Sequence, residues 1–368
     1  MILISGAGRY DGMEDSLKIF HIVGARPNFM KVAPVLNALS ARQGVAQTLI
    51  HTGQHYDANM SDVFFQQLAI PDPDVNLAVG SGTHARQTAE IMTRLEPLVL
   101  ERSPDIVLVY GDVNSTVAAT LVCAKLGIRV GHVEAGLRSF DRTMPEEINR
   151  LVTDQLADVL YTPSEDEDIN LRREGISPEK IFRVGNVMID SLVKFLPAAQ
   201  RQSMNGYPDR YALVTLHRPA NVDEGAALKG LLQSLLEVNR DLSVVFPAHP
   251  RTRQRIADFG LNTEKLLLLD PLPYVDFLSL QSRATVVITD SGGIQEETTY
   301  LGVPCLTLRE NTERPVTISL GTNVLVGQDP DKLRAELSLV LSGKAKKGTI
   351  PPLWDGHAGE RIAALLAG

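Results

Sequence analysis

Short runs of consecutive apolar residues alternate with longer mixed stretches along nearly the whole chain, and that alternation predicts strands separated by helices. In the first half the runs fall in 18–24 (KIFHIVG), 48–57 (TLIHTGQHYD), 105–112 (DIVLVYGD), 128–133, 159–168 (VLYTPSEDED) and 180–190 (KIFRVGNVMID). Runs without a polar alternate fit strands covered on both faces, as in parallel sheets. Helices are predicted after the first strand to about Leu39, through Phe65, over Thr83 to Glu101, over 113–126 with Gly127 closing it, and from Pro145 to roughly Tyr161. Residues 71–82, rich in Pro and Gly, read as loop, and 195–209 as a linker. A second series follows, with strands in 211–223 (YALVTLHRPANVD), 242–253, 265–281, 284–302 (ATVVITDSGGIQEETTYLG) and 304–315, and helical stretches over 328–343 and 355–368. Strands alternating with helices throughout predict an α/β protein with doubly wound parallel sheets. Residues 1–17 precede the first clear strand and read as an N-terminal extension.

A length of 368 residues fits two domains. Hydrophobic residues at 44% and charged residues at 22% are ordinary for a globular protein. A net charge of −8 argues against general nucleic-acid binding, though a local basic cluster could still hold a small anion. No apolar run is long enough to span a bilayer, and the start lacks the basic and apolar regions of a signal peptide, so a cytoplasmic location is expected. The two cysteines, Cys123 and Cys305, lie in apolar runs and read as buried thiols. The eight histidines are scattered and no metal-ligand spacing occurs, so no metal is expected. Neither a Walker motif, a GxGxxG after the first strand, nor a GxSxG elbow is present.

The densest chemistry lies in 132–150, HVEAGLRSFDRTMPEEINR. Glu134 follows a buried strand, at the edge where ligands bind in open α/β sheets. Asp112 occupies the same kind of strand end, and two acids so placed can have their pKa values pushed apart to supply an acid and a base. Thr143 and Glu146 match a capping box, Pro145 suits a first helical turn, and Glu147 with Arg150 match an i,i+3 pair. Arg26 and Lys31 stand at a strand-to-helix turn, a setting that favours anions. In TDSGGIQEE the glycines allow close backbone approach, and the helix start beyond them suits phosphate, with Glu297 one turn in for a ribose hydroxyl. Ordinary cap, surface and dipole roles account singly for Glu146, Glu147, Arg26, Lys31 and the glycine turn, whereas Glu134, not at a helix start, is harder to dismiss.

Taken in order, GARPNFMK, HTGQH, GDVNST, HVEAGLRS, PEEINR, GNVMID, TLHRP, TDSGGIQEE and TERP resemble the bacterial non-hydrolysing UDP-N-acetylglucosamine 2-epimerase family over about 18–320. The resemblance implies two Rossmann-like domains facing a central cleft, the glycosyltransferase-B arrangement. The expected units are 18–195 with the catalytic acids, 207–352 with the UDP site, and 353–368 as a helix packing back on the first. It implies reversible conversion of UDP-N-acetylglucosamine to UDP-N-acetylmannosamine by elimination and re-addition of UDP, without a cofactor. By resemblance, Asp112, Glu134, Glu146 and His217 are the catalytic residues. Arg26, Lys31, Phe277, Ser291, Gly292, Gly293, Glu297 and Arg314 are the substrate-binding ones. Gln54, His55 and Arg86 match a second substrate site that activates some members, and a homodimer is expected. The chain departs from the family pattern at Asn28, where an acid is usual, and at Pro219, where a cation is. Alternatives are another UDP-sugar such as a diacetamido-uronate, a hydrolysing 2-epimerase, a glycosyltransferase of the same architecture, or a nucleotide-sugar binding module. The clustered acids fit work at C2 better than the last two.

Overall fold

The computed structural model describes residues 16–53 and 70–368. Two parallel sheets organise the chain. The first has seven strands, β1 (Leu17–Val23), β2 (Val45–His51), β3 (Val75–Asn76), β4 (Ile106–Tyr110), β5 (Arg129–Val133), β6 (Val159–Thr162) and β7 (Ile181–Arg183), in the order β3-β2-β1-β4-β5-β6-β7. The second has six, β8 (Tyr211–Thr215), β9 (Ser243–Pro247), β10 (Leu267–Leu269), β11 (Val286–Thr289), β12 (Cys305–Thr307) and β13 (Asn323–Leu325), in the order β10-β9-β8-β11-β12-β13. The expected pair of doubly wound α/β halves is what the chain forms. Strand order reverses between β1 and β4 in one sheet and between β8 and β11 in the other, and crevices open at such points beyond the carboxyl ends of strands. Those ends carry Gly24-Ala25 and Gly111-Asp112 in the first sheet, His217 and Asp290-Ser291 in the second.

Several predicted elements shift. Residues 187–200 form a helix (Val187–Gln200), not strand and linker, because Asn186 accepts the Met188 N–H as N-cap and eight residues of the helix are buried. The true crossing between halves is therefore 201–210. The helix Pro145–Leu156 stops at Leu156, since β6 begins at Val159. Strand β13 and the helix Gly225–Asp241 were not anticipated. The helix expected through Phe65 lies outside the described residues.

Chain order and packing part company at the C-terminus. The helix Ala358–Ala367 buries Ala358, Ile362 and Ala363 in the same apolar cluster as Val32, Leu36 and Leu39 of the helix Arg26–Ser40. A Cβ on Gly359 would lie 2.7 Å from the Pro34 backbone, so only glycine allows that approach. Asp190 accepts the Ala358 and Gly359 N–H groups at 3.1 and 2.7 Å, and Trp354 donates to Pro163 O at 3.0 Å. Both cysteines are buried and free, and burial pushes the Cys123 thiol up to about 12 and that of Cys305 to about 11. Among the described residues no helix is long and apolar enough to cross a membrane.

Candidate active site

The first half presents its acids on two turns. Gly111 follows β4 with φ +63, and a Cβ there would lie 2.6 Å from Lys31 Nζ and 3.1 Å from Glu134 Oε2. The left-handed φ is what favours glycine before Asp112, and the charged ends of the site crowd the space a side chain would take. Asp112 receives Arg150 through Nε at 2.9 Å and Nη2 at 2.6 Å. Burial works to raise the Asp112 carboxyl, but the Arg150 charge, with Lys31 and Arg314, holds it below the ordinary carboxylate range. Glu134 follows β5 at φ +73, a left-handed conformation that a non-glycine residue holds only where its surroundings over-determine it. Its own N–H and that of Ala135 both donate to Tyr161 O. Its Oε2 is bound by Lys31 Nζ and its Oε1 by Arg314 Nη2 at 3.2 Å.

The helix Pro145–Leu156 supplies the third acid. Glu146, Asn149 and Arg150 share one face, being three and four positions apart. Asn149 Nδ2 donates to Asp112 O at 2.8 Å, which turns this face toward Asp112. Glu146 is partly exposed and has no hydrogen-bond or ion-pair partner among the described residues. The predicted capping box does not form: the N-cap is Met144, and Thr143 Oγ1 donates instead to Asp141 Oδ1 at 2.6 Å. Glu147 pairs with Arg150 at 2.6 Å as expected, but the pair is buried, and Glu147 also accepts from the Ser139 and Phe140 N–H groups. It moulds the loop before the helix.

From the second half comes Arg314, 7% exposed. Besides Glu134 it binds Glu313 through Nη1, and its Nε lies 2.8 Å from Glu296 Oε1. Glu313 also takes Arg309 at 2.6 Å and lies 3.5 Å from Arg218. Burial opposes ionisation of Glu313, yet Arg314 and Arg309 hold it well below its ordinary value. Burial pushes the Glu296 carboxyl up, against the pull of Arg314. The turn Ser291-Gly292-Gly293 opens the helix Gly292–Leu301, and a Cβ on Gly292 would lie 2.4 Å from Arg314 Nη1. In that helix Glu297 accepts from Tyr274 OH at 2.8 Å, and burial pushes its carboxyl up to about 7. Phe277 is partly buried against Tyr211, Leu213 and Leu280. His217 remains 47% exposed in its side chain, with Nδ1 2.9 Å from Asp290 Oδ1. Asp290, wholly buried, also accepts the His217 and Arg218 N–H groups and Asn221 Nδ2.

The departure at position 28 has a local explanation. Asn28 Oδ1 accepts from the Gly24 and Ala25 N–H groups at 3.0 Å each, while its Nδ2 donates to Tyr110 O at 2.8 Å. An ionised acid could accept but not donate. Of the predicted site residues, Asp112, Glu134, Lys31 and Arg314 thus meet in one charged cluster, joined by the Glu146 face. Ser291, Gly292, Gly293 and Glu297 adjoin it. Arg86 lies apart, exposed in the first turn of the helix His84–Arg102. Gln54, His55 and the side chain of Arg26 lie outside what the structure describes. Arg150, Glu296, Glu313 and Asp290 were missed as site residues, although the TERP and TDSGG motifs contain or adjoin three of them. Among the described residues no His, Cys, Asp and Glu group is arranged to hold a metal.

The profile described as UDP-N-acetylglucosamine 2-epimerase matches residues 37–367. The chain belongs to the UDP-N-acetylglucosamine 2-epimerase family. A relative of that name from Methanocaldococcus jannaschii is 42% identical over 95% of this chain and 99% of its own. A crystal structure of the M. jannaschii protein with UDP-GlcNAc and UDP superposes with a TM-score of 0.89 over 95% of this chain and 99% of that one. The Pseudomonas aeruginosa UDP-2,3-diacetamido-2,3-dideoxy-D-glucuronate 2-epimerase is 41% identical over 95% of this chain and 99% of its own. The glycotransferase of kitacinnamycin, 14% identical with a TM-score of 0.58 over 95% and 98% of the two chains, shares the fold alone.

Proposed function

We propose that this epimerase interconverts UDP-N-acetylglucosamine and UDP-N-acetylmannosamine by eliminating and re-adding UDP. The observation that carries the reading is the reach of Arg314, from the half bearing the phosphate-type turn, to Glu134 of the half bearing the acids. In the forward step the C2–H and C1–O bonds break. The proton passes to a carboxylate, a C1–C2 double bond forms, and UDP departs with the bonding electrons. In the return step a proton reaches C2 from the opposite face and the C1–O bond re-forms. Two acid/base groups on separate elements are needed, and Asp112, at a strand end, with Glu146, on the helix face whose Asn149 binds Asp112 O, suit that work. Glu134, held between two cations, is placed to oppose positive charge at the anomeric carbon. Arg314, Lys31, Arg26 and the Ser291-Gly292-Gly293 backbone take the departing diphosphate, with His217 beside them. Glu297 takes the ribose hydroxyls and Phe277 lies by the uracil. No step calls for a redox cofactor.

Proton NMR of C2 during incubation with UDP-N-acetylglucosamine in D2O tests the reading. Deuterium at C2 of a UDP-linked product supports it; free N-acetylmannosamine indicates hydrolysis, and an absence of exchange refutes it. The 41% identity to the diacetamido-uronate enzyme makes that UDP-sugar the second substrate to try. We further read the protein as a cytoplasmic homodimer, to be checked by light scattering. Activation by a second substrate molecule through Gln54, His55 and Arg86 would give a lag or sigmoidal initial rates, and plain hyperbolic rates would exclude it.

A further inference from the structure

The turns that carry Asp112 and Glu134 are tied to one buried side chain. His132 in β5 is completely buried. Its Nε2 lies 2.8 Å from Gly111 O, and since a carbonyl only accepts, Nε2 is the donor. Its Nδ1 lies 2.6 Å from Oδ1 of Asp154, which is also completely buried, on the helix Pro145–Leu156. The other oxygen, Oδ2, accepts the Gly136 N–H at 3.1 Å and lies 2.7 Å from Arg138 Nη1. One carboxylate therefore reaches the Asp112 turn through His132 and the Glu134 turn through Gly136. The ties act on constrained backbone. Gly111 is gripped at both ends, its N–H donating to Val133 O at 3.0 Å. Gly136 has φ +84, and a Cβ on it would meet Glu167 at 2.7 Å. Burial works to raise the Asp154 carboxyl, but His132 and Arg138 bring it below its ordinary range, which suits an ionised group accepting at both oxygens.

We propose that Asp154, acting with His132, is a positioning residue that sets the spacing between Asp112 and Glu134. The inference rests on the reading of those two acids as catalytic. A general core role would require only that the buried polar atoms be satisfied. What marks positioning is the use of each oxygen for a different acid-bearing turn. Leucine in place of Asp154 keeps much of the volume but has no acceptor, so the Gly136 N–H is released and His132 loses its anchor; asparagine would not serve, because its amide N–H can donate to Nδ1 of a neutral His132 while its oxygen still accepts the Gly136 N–H. His132→Asn is complementary: its amide can still donate toward Asp154 but cannot reach Gly111 O, so the Asp112 turn alone is freed.

The test compares the full-length wild type with Asp154→Leu and His132→Asn, using UDP-N-acetylglucosamine turnover, calorimetric UDP titration and crystal structures. We expect kcat to fall about tenfold or more in each variant, because a misplacement of about 1 Å can cost roughly a hundredfold. KM and UDP affinity should stay within about twofold, since the loss lies in the chemical step. In the Asp154→Leu crystal at least one of the two turns should move. Unchanged kcat with unmoved turns overturns the proposal, as does UDP affinity falling in step with turnover, the mark of a general structural loss. Should Asp154→Leu not fold, His132→Asn decides by the same readings. If the wild type exchanges no C2 proton, the epimerase reading fails, and displacement of a turn in the variant crystal still decides the positioning claim.

Discussion

Arg150→Met tests the charged cluster most directly. Arg150 is 2% exposed and spans two carboxylates, Asp112 and Glu147, with contacts of 2.6 to 2.9 Å. Methionine keeps much of the stem and removes the charge. Breaking a buried pair by deleting one partner typically costs about 3–5 kcal/mol, because the survivor is left uncompensated. Here Glu147 retains the Ser139 and Phe140 N–H groups, and the Asp112 side chain is 24% exposed, so about 2–4 kcal/mol is expected. The sign of the pH dependence follows from Asp112. In the wild type its folded pKa is depressed, so its contribution is present above its ordinary value and lost as pH falls through the folded one. Without Arg150, burial dominates and the folded pKa moves up, so stability is lost as pH rises. The deficit of the variant in urea unfolding should thus be larger at pH 8 than at pH 5. The acid limb of kcat/KM should also move to higher pH. An equal deficit at both pH values, with an unmoved acid limb, would show that Arg150 does not control Asp112.

Other outcomes follow from the same contacts. Asp112→Asn or Glu134→Gln should cut turnover by about a hundredfold or more, the usual loss with an acid/base or charge-stabilising group; steady-state kinetics with near-normal turnover would reject the role. Arg314→Ala should weaken UDP binding in calorimetry and also lower the thermal midpoint, because Glu134, Glu296 and Glu313 all lose their shared cation; unchanged affinity would contradict its binding role. Glu297→Gln should remove a pH dependence. With the folded carboxyl at about 7, the wild type keeps this proton while the unfolded chain loses it, so stability falls as pH rises between about 4.5 and about 7. Urea titrations across that window should be flatter in the variant, and identical slopes would count against the assignment.

Local patterns were sufficient for much of this architecture. Unbroken apolar runs marked the buried parallel strands, and turn residues at their carboxyl ends marked the two crevices. Gly127, predicted to close a helix, does so at φ +69. What could not be read was pairing across distance. Arg150 looked like a partner for Glu147 alone, because spacing along a helix says nothing of Asp112, 38 positions away. The apolar start of 187–200 resembled a strand because its helix is buried along most of its first two turns, which hides the usual periodicity. Three-residue strands such as β13 carry too few positions for any period to register. Thr143 matched a cap by spacing, but Asp141 two residues earlier took its hydroxyl.

The helix Ala358–Ala367 has a consequence for biosynthesis. It packs on the helix Arg26–Ser40, so the half that leaves the ribosome first waits for residues 358–367 before that face is shielded. At about 5–20 residues per second, the interval after Gln200 is emerging amounts to roughly ten to thirty seconds. Throughout it, the face around Pro34, against which Gly359 packs, lacks its covering helix, and a nascent chain stalled in the second half would present that face to chaperones or to aggregation.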